Sequence, residues 1–192
     1  MNNKKFFTTL DIVLMALLAV GNGILTNYLA FVNKSLTTLG GPIATSTIVG
    51  LYMIYGVLAM YIIRKPGAAA ITYLIGAIIQ SLLGISYGMA SAFIAAGCYA
   101  VMVELIYLLF RYKNWGYLSI SLASLFAVPL WFVFAANMYG YYKWDIEILI
   151  IAFIVRCISG VILCGWLSKW IGDAMAKTGM LKRFAIGKRR EV

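Results

Sequence analysis

An all-α fold, a single bundle of six membrane-spanning helices, is what this sequence predicts, and three observations carry the prediction. The chain is 64% hydrophobic and 11% charged, whereas a soluble domain covers its surface with roughly 25% charged residues. Its apolar residues gather in six runs, and about 20 apolar residues suffice to cross the hydrocarbon of a bilayer. Its basic residues sit between the runs and at the ends, which is where membrane topology puts them. The net charge of +10 is therefore read as a topology signal and not as a nucleic-acid surface. Six spans use most of the 192 residues, so residues 1–192 are expected to form one transmembrane domain with a basic tail at 172–192.

The first run, residues 10–31, follows Lys4 and Lys5. It begins like a secretion signal. Its length, the lack of a small-residue cleavage site and the five runs behind it predict that it is retained. Ala16, Ala19 and Gly23 are small residues at helical spacing, which let backbones approach closely in lipid. They serve either packing inside the bundle or a flat face for another membrane subunit.

Gly40, Gly41 and Pro42 open the second run, 43–63, and Pro66 opens the third and shortest, 67–84. Proline suits a first helical turn because its missing N–H would be unpaired there anyway. The fourth run, 90–110, carries Glu104. The fifth, 115–139, contains Pro129, which removes a backbone hydrogen bond and is expected to bend the helix. The sixth, 146–171, carries Arg156.

Orientation follows from Lys and Arg near the run ends. Arg64 and Lys65 join runs two and three, Arg111 and Lys113 join runs four and five, and six basic residues follow run six. The alternate connections hold only Lys34 and Lys143, the latter beside Asp145 and Glu147. Both termini are thus expected in the cytoplasm, with the basic tail along the anionic inner leaflet.

With that orientation, the outer halves of the runs hold Asn22, Asn27, Gln80, Trp131 and Asn137, and the outer connections add Tyr28, Tyr87, Tyr139, Tyr141, Tyr142 and Trp144. Aromatics at that depth are the ordinary interfacial belt. Amides within a span need partners and face the bundle or a wet cavity, so they act as interhelical glue or line a pocket open to the outside. Glu104 and Arg156 lie deep as well. They pair with each other, or Glu104 meets a cationic ligand, since an intramembrane acid is a functional candidate by default.

Several chemistries are excluded. The chain has no histidine, no glycine-rich phosphate loop and no paired metal-ligand spacing, and Cys98, Cys157 and Cys164 lie in apolar runs where they pack. Any transport against a gradient needs energy from elsewhere. Binding without a cofactor is the reading that fits; a ligand-free scaffold or an embedded enzyme are the alternatives from other classes.

Several stretches carry a family resemblance: Asp11-Ile-Val-Leu-Met-Ala-Leu-Leu-Ala in run one, Gly40-Gly-Pro42, Arg64-Lys-Pro-Gly-Ala-Ala-Ala70, Val103-Glu-Leu and Phe110-Arg-Tyr112. The chain resembles the substrate-binding S components of energy-coupling-factor (ECF) vitamin transporters, nearest the thiamine and hydroxymethylpyrimidine branch. The likeness in motifs runs to about Tyr112 and rests on length and hydropathy beyond. It implies a six-helix protein of the bacterial plasma membrane that captures thiamine, hydroxymethylpyrimidine or another vitamin from outside. It also implies docking to a transmembrane coupling protein and two cytoplasmic ATPases. Such proteins often carry two alanines four apart at the coupling surface of the first helix; here Val20 stands four after Ala16, which shifts the expected face to Ala19 and Gly23. Thiamine-binding relatives use an acid in helix four and aromatics around the ligand, roles that Glu104 and Trp131 would fill, with Asn137, Gln80, Tyr87 and Asn27 completing the expected site. They can also use a histidine, which this chain lacks. A buried carboxylate suits the thiazolium cation, an aromatic face adds cation–π attraction, and amides match the aminopyrimidine edge.

Overall fold

The computed structural model describes residues 6–84 and 87–188, without the side chains of Tyr142 and Lys188. Lys4, Lys5, Arg189 and Arg190, used for the orientation above, lie outside the described residues. The elements are α1 (Thr9–Ser46), α2 (Val49–Ile63), α3 (Ala68–Leu82), α4 (Met89–Leu109), α5 (Tyr117–Met138), a 3-10 turn (Tyr141–Lys143), α6 (Ile146–Ser159), a π-helical segment (Gly160–Trp166), α7 (Leu167–Lys177) and α8 (Ala185–Lys188).

α1 starts on a capping box. The Thr8 hydroxyl accepts from the Asp11 N–H at 3.2 Å while the Asp11 carboxylate accepts from the Thr8 N–H at 2.8 Å. The same carboxylate receives Lys65 Nζ at 2.6 Å, which pins the start of α1 to the α2–α3 connection. α1 outruns the expected 10–31. At roughly 1.5 Å per residue it rises about 45 Å before Gly40, more than the ~30 Å of hydrocarbon. The helical path then breaks at Gly40 and Gly41, whose φ of −148° and +57° lie outside the α region. The positive φ at Gly41 is the position that demands glycine, and Pro42 opens the short helical piece behind it.

α2 is the axis of the bundle. Every residue from Met53 to Ile63 is buried, as expected of a helix that is apolar all round. α3 lies very close to it. A Cβ on Gly56 would run into the Tyr73 ring, and one on Gly76 would run into Tyr55, so two glycines let two tyrosines interlock. The rings meet edge to face at 4.9 Å, and Tyr73 donates to the Met53 carbonyl at 2.6 Å.

α6, the π segment and α7 form one continuous rod, Ile146–Lys177. Gly160 and Gly165 sit where a Cβ would meet Val128 at 2.9 Å and Ser124 Oγ at 3.0 Å, so the π segment lies flush on α5. α5 continues through Pro129 from Tyr117 to Met138.

Four helical rods are long and apolar enough to cross a membrane: Thr9–Ser46, Met89–Leu109, Tyr117–Met138 and Ile146–Lys177. α2 and α3 are apolar but only 15 residues each. The expected second run is shortened because a turn at Thr47–Ile48 separates the Pro42 piece from α2. Part of the basic tail folds back on the bundle, with Leu181 and Ile186 buried in the hydrophobic core beside Tyr61 and Trp115, while Trp170 and Met180 stay exposed.

Candidate binding site

Because successive helices alternate in direction, the far end of α1, the start of α2, the end of α3, the start of α4, the end of α5 and the start of α6 converge at one end of the bundle. This is the end opposite Arg64–Lys65 and Arg111–Lys113. An open cavity lies there, about 830 Å³ when its mouth is included. Tyr52 and Tyr55 of α2, Tyr99 of α4, and Trp131 and Tyr139 near the end of α5 wall it with aromatic rings. Tyr99 meets Trp131 edge-on at 6.2 Å, and Trp131 meets Tyr139 at 6.4 Å. In the wall the Tyr52 and Tyr87 hydroxyls hydrogen-bond to each other at 3.1 Å.

Polar groups are few. Gln80 is buried in the wall and takes no hydrogen-bond partner among the described residues. Its amide can therefore offer a donor and an acceptor to the cavity. Arg156 is 5% exposed. Its Nε donates to Ser46 Oγ at 3.0 Å and its Nη2 to the Tyr141 hydroxyl at 3.1 Å. The guanidinium carbon lies 5.0 Å from the Phe132 ring and 4.9 Å from that of Tyr141. No carboxylate lines the cavity among the described residues.

The expected site divides. Gln80, Tyr87 and Trp131 line the cavity together. Asn27 is exposed on the outside of α1, where its neighbour Thr26 turns inward instead. Asn137 is exposed and donates to its own helix at the Val133 carbonyl, 2.9 Å away. Asn22 is buried glue, donating to Thr26 and to the Tyr52 carbonyl.

Glu104 requires a correction on both of its readings. It sits at the opposite end of the bundle, where its carboxylate accepts from the N–H groups of Gly67, Ala69 and Ala70 at 3.0, 3.0 and 3.3 Å. The Tyr112 hydroxyl adds a fourth bond at 2.8 Å. Burial, and then that bond, holds the Tyr112 phenol above its ordinary value, so it stays a donor. Glu104 therefore closes the orphan N–H groups of α3 and meets the positive end of its dipole. It neither reaches the cavity nor pairs with Arg156. The small-residue face of α1 is corrected too. Ala19 is fully buried, and a Cβ on Gly23 would already touch Leu83 and Ile79 of the α3 side at 3.0 and 3.1 Å. Only Ala16 is partly open, beside the exposed Leu17, Val20 and Ile24.

The cavity residues that sequence reasoning missed include Tyr52, Tyr55, Tyr99, Thr26, Asn33 and Arg156 in its wall role. The first two share a helix face, three residues apart, but an all-apolar helix shows no face in its sequence.

Residues 10–130 match the family described as the ABC-type cobalt transport system, permease component. The chain is 30% identical over 184 residues to YkoE of Bacillus subtilis (strain 168), whose name provisionally gives it as an HMP/thiamine permease protein. The match covers 96% of this chain and 92% of that one. A solved structure described as an S-component of ECF transporter superposes with a TM-score of 0.90 at 29% identity, over 96% of this chain and 93% of that one. Among the described residues, no three His, Cys, Asp or Glu side chains gather as a metal site.

Proposed function

This chain belongs to the ABC-type cobalt transport permease family, as an ECF-transporter S component of thiamine/hydroxymethylpyrimidine type, and from that premise we propose that it captures thiamine from outside the bacterial plasma membrane. It is a multi-pass membrane transport subunit and not an enzyme, with a vitamin-class substrate and an energy-coupling module as partner. In the proposed reading, six helices span, both termini are cytoplasmic, and a transmembrane coupling protein with two ATPases drives release inward. The exposed face of α1 around Ala16, Leu17 and Val20 is the surface on which that coupling protein docks.

One observation carries the ligand reading: an aromatic-walled cavity with the Gln80 amide in its wall. The flat aminopyrimidine stacks between tyrosine and tryptophan rings, the Gln80 amide offers both a donor and an acceptor to its edge, and the thiazolium gains cation–π attraction from Trp131 and Tyr139. These two rings do for the cation what a carboxylate does elsewhere. A specific observation also favours hydroxymethylpyrimidine as ligand: among the described residues the one charged side chain in the wall, Arg156, is positive, and a neutral pyrimidine escapes its repulsion.

Calorimetry of the purified protein against thiamine, hydroxymethylpyrimidine, riboflavin and biotin tests this. Tight binding of thiamine, with no heat from riboflavin or biotin, is expected. Binding of riboflavin or biotin in preference to both pyrimidines overturns the reading.

A further inference from the structure

Arg156 is a built feature that capture of a neutral or cationic vitamin leaves unused. Its guanidinium has five N–H donors in a fixed fork. Nε is committed to Ser46 and Nη2 to Tyr141, and Nη1 has no protein acceptor among the described residues. Its carbon lies 5.0 Å from the Phe132 ring and 4.9 Å from the Tyr141 ring, and with the two hydrogen bonds these contacts set its direction before any ligand arrives. The two described ion pairs join Lys65 to Asp11 and Lys169 to Asp173, and neither reaches it. A charge in the membrane-embedded part of a protein is ordinarily paired or serves a ligand, and an unpaired buried charge carries a large desolvation penalty. Among the described residues no carboxylate pairs with Arg156, and Arg156 is part of the cavity wall.

We propose that Arg156 is a specificity-determining residue that receives an oxyanion on the ligand, so that the preferred ligand is the phosphate monoester of the pyrimidine vitamin and not the free alcohol. Thiamine and hydroxymethylpyrimidine each carry the primary hydroxyl on which such an ester is built. Arg presents paired N–H donors that match a phosphate, and the Tyr141 hydroxyl, accepting from Nη2, holds the group in place. The aromatic walls and Gln80 hold the rings as before. A thiamine phosphate then places its cation on Trp131 and Tyr139 and its anion on Arg156, which removes the repulsion that free thiamine meets. The inference rests on the pyrimidine-vitamin reading of the same cavity.

The test is calorimetry on the full-length protein with four compounds: thiamine, thiamine monophosphate, hydroxymethylpyrimidine and its phosphate. Each ester is expected to bind at least about 30-fold more tightly than its alcohol, and Arg156→Met, checked for a normal melting curve, is expected to erase that difference. If Arg156→Met does not fold, the wild-type protein still decides. The second phosphate ionisation lies near pH 6, so ester affinity should rise from pH 5 to 7.5 while alcohol affinity stays level. Alcohols that bind as well as or better than esters overturn the proposal and leave the vitamin reading standing, as does an ester preference that survives in Arg156→Met. If no pyrimidine binds but phenyl phosphate raises the melting temperature in an Arg156-dependent way, the vitamin reading fails and the oxyanion site stands. If none of these compounds binds, both fail.

Discussion

Glu104 and Arg156 have the same standing in the sequence, each an ionisable residue deep in an apolar run, and the structure gives them unrelated work. Depth along a helix can be counted from sequence at a fixed rise per residue. The direction in which the side chain points, and which loop folds back over it, cannot. Glu104 is met by three backbone N–H groups because Arg64 and Gly67 take left-handed φ of 55° and 83° and bring the start of α3 over α4. The resemblance motif Arg64–Ala70 was visible, but its role as the partner of Glu104 was not. Replacing Glu104 with alanine should therefore lower stability by about 1.5–3 kcal/mol, the worth of hydrogen bonds to a charged group, while thiamine affinity of the folded fraction stays nearly unchanged. Thermal unfolding in detergent followed by calorimetry reads both. Lost affinity at unchanged melting temperature would return Glu104 to the binding site.

Among the elements, the all-helical character and two of the breaks were legible because glycine and proline mark them: Gly40-Gly41-Pro42 and Pro66-Gly67 stand at helix boundaries in the structure. The π segment at Gly160–Trp166 was not, since its residues are as apolar as any α-helical stretch. The faces of α1 were not legible either, because nearly all its residues are apolar and only packing tells inside from outside. Gly21 and Gly23 make the difference measurable. A Cβ at Gly21 meets nothing within 4 Å, whereas one at Gly23 presses on Leu83 and Ile79. Gly23→Leu should destabilise the bundle by about 1–3 kcal/mol through overpacking. Gly21→Leu should leave melting and vitamin binding intact and, if α1 docks the coupling protein on that side, reduce uptake by the assembled transporter. Melting temperatures and vesicle uptake of the two variants separate packing from docking, and a stable, binding-competent Gly23→Leu protein would contradict the packing assignment.

At the scale of the whole molecule, orientation decides what the cavity is for. The basic connections at Arg64–Lys65 and Arg111–Lys113 lie at the end opposite the aromatic cavity, and the proposed orientation, taken from the positive-inside rule, puts that end in the cytoplasm. In a cysteine-free parent, a cysteine at the exposed position Lys143 should react with an impermeant maleimide added outside the cell, and one at the exposed position Lys113 should not. The reverse pattern would turn the cavity to the inside. The general placement of the site was legible from the clustering of Gln80, Tyr87 and Trp131 by depth. Its walls were less so, because Tyr52, Tyr55 and Tyr99 come from helices without a polar face and meet only once Gly56 and Gly76 let α2 and α3 close.

The central claim is that the aromatic cavity between α2, α4 and α5 holds the pyrimidine vitamin. Trp131→Ala removes the ring that links Tyr99 to Tyr139, and truncating a central aromatic anchor ordinarily costs about 2 kcal/mol or more, roughly 30-fold in affinity. A calorimetric titration of the wild type and of Trp131→Ala with thiamine is the direct measurement. The account predicts a loss of at least about that size with an unchanged melting temperature, and a variant that binds thiamine as tightly as the wild type would contradict it.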